Sequence, residues 1–147
     1  MKFKFSLESL LRLRLQLEEQ KEIEYGQILQ KLQEAKERLH HIEEEQKKSF
    51  EHWREKVERQ GTVSLWKEYQ PYLQKVKREL EESQRCCSKL EIEVENKRQD
   101  LLEAVRQRKT IESLKEKDFE AFQKEVQRQE QKVVDELVTF QYYNRQI

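Results

Sequence analysis

Between Ile28 and Val57 the apolar side chains fall at Ile28, Leu32, Ala35, Leu39 and Ile42, then, past a polar Gln46, at Ser49 or Phe50, Trp53 and Val57. Steps of four and three are the spacing of one helix face that meets another helix. The pattern stops at RQGTVS, residues 59–64, where Gly61 suits a helix C-terminus and Ser64 can cap the next helix. A second stripe starts at Trp66 and keeps the same spacing through Tyr69, Leu73, Val76, Leu80, Ser83, Cys87, Leu90, Val94, Lys97, Leu101, Ala104, Arg108 and Ile111. A drift follows, and the stripe resumes at Phe119, Phe122, Val126, Val133, Leu137 and Phe140. Such a shift reads as a stutter, which changes the supercoil locally.

Two long helices joined by about four residues fold back on each other. The pattern therefore predicts an all-α protein: one long antiparallel two-helix coiled-coil hairpin with unequal arms, a single domain over residues 1–147. Arm one covers about 5–60, the turn about 60–64, and arm two about 64–144. At about 1.5 Å per residue the arms would be roughly 85 and 120 Å long. Counting outward from the turn sets Phe5 near residue 119, so about the last two dozen residues would overhang with apolar positions of their own. Pro71 removes the hydrogen bond to the Lys67 carbonyl, so a kink or a short separate turn is expected over residues 64–70.

The N-terminal FKFSLESLLRLRLQLEEQ, residues 3–20, carries a different pattern, because Phe3, Phe5 and Leu7 alternate with polar residues, as do Leu11, Leu13, Leu15 and Leu17. Alternation is a strand signal, but a lone strand here would have no strand partner. A helix remains, with Ser6 as its N-cap and Glu8 in its first turn. On a wheel of 100° per residue its leucines spread over about 200°, roughly twice what a hairpin seam needs. The surplus has three readings: a thicker core, a dimer contact, or a docking surface for another protein. Arg12 and Arg14, with Lys2 and Lys4, make this tip locally basic, which suits an acidic collar or an anionic lipid surface.

Composition narrows the classes. Of 147 residues, 35% are hydrophobic and 41% charged, with two Gly and one Pro, so a globular core is not available and long helices with one narrow seam each are. Disorder would fit the charge as well; periodicity decides for helices. Thirty basic and thirty acidic residues, interspersed, give no footprint for nucleic acid. No apolar run exceeds two residues, and no signal peptide is recognisable, so a soluble intracellular protein is expected. Glu precedes a base by four residues at Glu34 and Arg38, Glu44 and Lys48, Glu55 and Arg59, Glu81 and Arg85, and Glu93 and Lys97, a spacing that forms helical surface pairs.

Chemistry-bearing motifs are scarce. Cys86 and Cys87 are adjacent, which makes neither a disulfide framework nor a metal site; Cys87 reads as a small seam residue. Glu37 with His41, or His40 with Glu44, has the spacing to pinch a metal, but two ligands on a helix surface are a weak signal. There is no Gly-rich phosphate loop, and a pair of helices offers no enclosed pocket for catalysis. No catalytic residue, cofactor or small-molecule substrate is predicted.

The start FKFSLESLLRLR, residues 3–14, resembles the opening of the FliJ family of bacterial flagellar export proteins. LWKEYQPYL at 65–73, RKTIESLKEK at 108–117 and QKVVDEL at 131–137 resemble later parts of that family in order and position. The resemblance implies a hairpin similar to the central stalk of rotary ATPases, cytoplasmic and peripheral at the inner face of the membrane. It implies three kinds of partner: the hexameric export ATPase, whose ring the free ends enter and whose hydrolysis they stimulate; the cytoplasmic domain of the export-gate membrane protein; and export chaperones, which it helps recycle. A monomer in isolation is expected.

Carried onto this sequence, the ATPase contact is Leu7, Leu10, Leu11, Arg12, Leu13 and Arg14, with Lys132, Asp135 and Glu136 from the overhang. The gate contact is Trp66, Tyr69, Tyr72 and Val76, with Phe50 and Trp53 from the first arm. Pro71, Glu79 and Ser83 depart from the family's pattern near that contact. On the residues alone, Trp66, Tyr69 and Tyr72 serve equally as seam packing, and Asp135 and Glu136 as a solvated face. Two alternatives stand beside this reading: the equivalent stalk of an injectisome, and a structural coiled coil that dimerises through its leucines.

Overall fold

A computed structural model describes residues 2–61 and 63–146. Thr62 of the expected turn, and the end residues Met1 and Ile147 of the expected domain, lie outside the described residues. Helix α1 spans Glu8–Gln60 and helix α2 spans Val63–Arg145, and no strand occurs among the described residues. The two helices pack against each other as the predicted hairpin. Helix α1 ends because Gly61 turns left-handed at φ 50°, with its N–H donating to the Val57 carbonyl at 2.9 Å. A side chain at that φ would be strained, which is why glycine is needed there.

Two local expectations are corrected. The first concerns the start of α1, where the opening turn is closed by the main chain, Glu8 N–H donating to the Phe5 carbonyl at 3.3 Å and Leu11 N–H to the Leu7 carbonyl at 2.9 Å. Ser6 lies in the turn before the helix instead of capping it. Over residues 2–5 the alternation is real, since Phe3 is half-buried and Phe5 buried while Lys2 and Lys4 are exposed. The second correction is at Pro71. Helix α2 begins at Val63 and continues through the proline, so the separate turn over 64–70 does not form. Lys67 and Pro71 are both exposed, which leaves water to serve the carbonyl that the proline deprives of a donor. We expect Pro71→Ala to stabilise the chain by about 2 kcal/mol in urea titrations, the restored helical bond outweighing the entropy the proline removes from the unfolded chain. A neutral or destabilising result would mean that the proline geometry is built into the packing.

The residues group into two units, one of residues 21–101 and one of residues 2–20 with 102–146. In the first, Ile28, Leu32 and Ala35 of α1 and Val76 and Cys87 of α2 form the buried seam. Leu39, Ile42, Gln46, Trp53 and Val57 are half-buried along it. At the ambiguous position Ser49 takes the seam, donating to or accepting from the Tyr72 hydroxyl at 2.8 Å, while Phe50 is 51% exposed. Burial pushes the Cys87 thiol above its ordinary range, and Cys86 beside it is exposed. Lys97, a polar residue at a seam position, donates to the Glu24 carboxylate at 3.3 Å. That bond, with Lys21 at 3.4 Å, holds Glu24 below the usual carboxylate range.

In the second unit Phe5 and Leu11 are buried, and the Phe3 ring packs against Phe119 and Phe122 with centroids 5.2 and 5.5 Å away. Arg108, the other basic residue at a seam position, pairs with Glu18 on α1 and with Glu112 at 2.8 Å, contacts that raise its guanidinium further above neutrality. Arg14 donates to Gln107 at 2.6 Å, and Lys115 pairs with Glu8 at 3.0 Å. These contacts keep the register counted from Gly61. From residue 127 to residue 146 every described residue is exposed, the overhang that the count predicted.

None of the five expected Glu-to-base pairs closes as an ion pair among the described residues. Lys97 reaches Glu24 rather than Glu93, and Arg85 donates to the Glu81 main-chain carbonyl at 3.4 Å. For these two bases a partner on the facing helix or the main chain wins, because an exposed pair along one helix gains little.

Candidate functional site

The first candidate surface lies in the unit of residues 2–20 and 102–146. Of its α1 residues, Leu11 enters the seam at 6% exposure, and Leu10, Arg14 and Leu17 are half-buried beside it. Leu7, Leu13 and Leu15 remain 38%, 49% and 44% exposed, with Arg12 exposed among them. The 200° arc of leucines therefore divides: Leu10, Leu11 and Leu17 pack along the hairpin and three stand in the open. Arg14 donates to Gln107, whereas Arg12 has no hydrogen bond or ion pair among the described residues and is exposed toward any acidic partner.

Farther along α2, Lys132, Asp135 and Glu136 are all exposed. Asp135 accepts from the Gln131 side chain at 3.0 Å, and its main-chain carbonyl accepts from Thr139 at 2.8 Å. Lys132 stands ten residues beyond Phe122, the last aromatic to touch Phe3, which is about 15 Å along a helix. The tip leucines and this charged trio thus occupy one unit without forming one patch. Between and beyond the charges the overhang carries Val133, Leu137 and Phe140, 55%, 56% and 62% exposed. The resemblance gives those three no role, although the register counted from Gly61 already leaves them without a partner on α1.

The second candidate surface lies in the unit of residues 21–101, where aromatic residues of both helices gather. Trp53 is its hub, with ring centroids 5.8 Å from Phe50, 5.2 Å from Trp66 and 6.4 Å from Tyr69. Lys56 places its ammonium 5.8 Å from the Tyr69 centroid, a cation–π arrangement. Trp66 and Tyr72 are 44% and 42% exposed, whereas Trp53 and Tyr69 are half-buried. Val76, by contrast, is buried in the seam and presents no surface. The geometry divides the six residues into a packed hub and an exposed rim of Phe50, Trp66 and Tyr72.

Among the described residues no group of three His, Cys, Asp or Glu side chains could hold a metal ion, and His41 pairs with Glu45 at 3.2 Å instead of with Glu37. The groove beside Ala35 and Ser83 is open to solvent. No helix among the described residues is long and apolar enough to cross a membrane.

A helical hairpin that leaves leucine and aromatic side chains exposed defines a coiled-coil protein with apolar surface open to contact. The family model described as Flagellar FliJ protein matches residues 3–146, and the chain belongs to that family, whose members are non-enzymatic components of the flagellar export apparatus. No curated protein and no solved structure matches the chain.

Proposed function

We propose that this chain is the stalk-like coupling component of the flagellar export apparatus, inserting one end into the ring of the export ATPase and stimulating its hydrolysis. The observation that carries this reading is the set of exposed leucines at the start of α1, apolar surface that the hairpin does not use, beside the free cation of Arg12. The aromatic rim of Phe50, Trp66 and Tyr72 serves as the contact for the cytoplasmic domain of the export-gate membrane protein, linking ATPase to gate. Export chaperones dock on the same component and are recycled there, at the cytoplasmic base of the flagellum and peripheral to the membrane. The protein contributes position and contact; hydrolysis belongs to the ATPase.

The test is ATP turnover by the export ATPase of the same organism, measured with and without this chain and with a Leu7→Asp, Leu13→Asp variant. Both substituted side chains are more than a third exposed, so the hairpin persists. We expect the chain to raise turnover and the variant to leave it at the unstimulated rate, while Trp66→Ala retains stimulation. A variant that stimulates as well as the parent, or a parent that does nothing, would overturn the reading.

A further inference from the structure

The two sides of the hairpin differ in charge where the arms approach the Gly61 turn. In α1 the seam there runs through Gln46, Ser49 and Trp53, and in α2 through Trp66, Tyr69, Leu73 and Val76. A residue directly after a seam position lies about 100° round the helix on one side of the seam, and a residue directly before it on the other. Because the arms are antiparallel, the residues that follow on α1 and those that follow on α2 come to the same side of the pair. That side holds Lys47 and Arg54 of α1 and Lys67 and Lys77 of α2, four bases and no acid, the rest being Phe50 and two glutamines.

On the opposite side, Lys48 and Lys75 are balanced by Glu45 and Glu68, and Lys75 already reaches Glu79 at 4.0 Å. The four bases of the first side are all exposed, and none of them has an ion pair or hydrogen bond among the described residues. Farther from the turn the same side becomes acidic, with Glu43 after Ile42 and Glu81 after Leu80. In a chain of zero net charge, the unpaired bases are thus confined to the aromatic end, in a strip about 16 Å long from Trp66 to Lys77. Phe50 and Trp66, 51% and 44% exposed, lie among them and meet at the Trp53 ring.

We propose that the gate's cytoplasmic domain seats on this one side of the hairpin with an acidic surface, carboxylates meeting the four bases around an apolar contact at Phe50 and Trp66, and Tyr72 at the far edge. The inference rests on the gate reading above and adds to it the side that is used and the charge of what it meets. Bases on a rim of this kind speed encounter and exclude wrong partners, and their effect is screened by salt. A bilayer matches the strip less well. Glu51 and Glu58 border Lys47 and Arg54 on the outward surface of α1, so a flat anionic membrane meets acids and bases together, whereas a shaped protein surface reaches the bases alone.

Titration calorimetry of the full chain against the cytoplasmic domain of the export-gate protein from the same organism tests this. We expect affinity to fall at least about tenfold between roughly 50 and 500 mM salt. Lys47→Glu with Lys77→Glu should also weaken binding at least about tenfold, whereas Lys48→Glu with Lys75→Glu, the same change of net charge on the other side, should leave it within about twofold. All four side chains are exposed, and helical circular dichroism should stay parental in both variants. Binding that ignores salt, or that both pairs weaken equally, would overturn the acidic-surface proposal and leave the gate as partner. No binding by the parent chain would overturn both. A parent that ignores the gate domain and sediments with phosphatidylglycerol vesicles would make the strip a membrane face, which overturns the proposal as well.

Discussion

Leu32→Ala is expected to lower the unfolding free energy by about 2–3 kcal/mol, whereas Leu13→Ala changes it by less than about 0.5 kcal/mol. Both remove the same atoms from the same helix. Leu32 is 8% exposed, one turn from Ile28 and beside Ala35 in the buried seam, so its loss leaves a gap that two helices with no third layer behind them close only in part. That thinness sets the figure at the lower end of the usual range for leucine. Leu13, 49% exposed, has little to lose. Urea titration followed by circular dichroism reads both, and equal effects at the two sites would mean that the exposed leucines are part of the fold and are not held in reserve for a partner.

Trp53→Ala should cost about 2–3 kcal/mol and Trp66→Ala about 1 kcal/mol or less. Trp53 touches three aromatic rings from both helices, so its removal takes away the hub that joins the arms beside the Gly61 turn. It is half-buried, which keeps the expected loss below that of a fully enclosed tryptophan. Trp66 meets Trp53 with one face and solvent with much of the rest. The functional readout should reverse the order: Trp66→Ala should reduce binding to the gate's cytoplasmic domain while the fold stays near parental stability. Were Trp66→Ala the more destabilising of the two, that aromatic would be core, and the rim would shrink to Phe50 and Tyr72.

Register is legible from the residues alone. Counting outward from Gly61 sets the N-terminal phenylalanines near residue 119 and leaves the end of α2 uncovered, and the Phe3 ring does lie against Phe119. The count works because helical rise is constant and the turn is short, so every pairing follows from one fixed point. The same arithmetic marks Val133, Leu137 and Phe140 as uncovered apolar positions, a signal that the charges between them obscure. Capping is harder to read. Ser6 has the right residue type in the right place, yet the Phe5 carbonyl closes that turn, because burying Phe5 fixes the backbone just ahead of the helix.

The partners of long charged side chains are the least legible feature. Five pairs chosen by spacing along one helix do not form, while Glu24 with Lys97 and Glu18 with Arg108 join positions 73 and 90 residues apart. A base at a seam position is pointed at the facing helix, and only that helix's register says which carboxylate waits there. The choice of Ser49 over Phe50 has the same origin, since the Tyr72 hydroxyl opposite it rewards a small polar side chain.

Heptad spacing, one left-handed glycine and a helix-forming composition are thus enough for the two helices, their turn, their unequal lengths and the positions that meet. Each of these rests on local backbone geometry and on a period that repeats along the chain. Which leucines sink and which stay out, which tryptophan is hub and which is rim, and where Lys97 and Arg108 spend their charge are settled by the packed arms, because exposure and ion pairing belong to the space between two helices and not to either one.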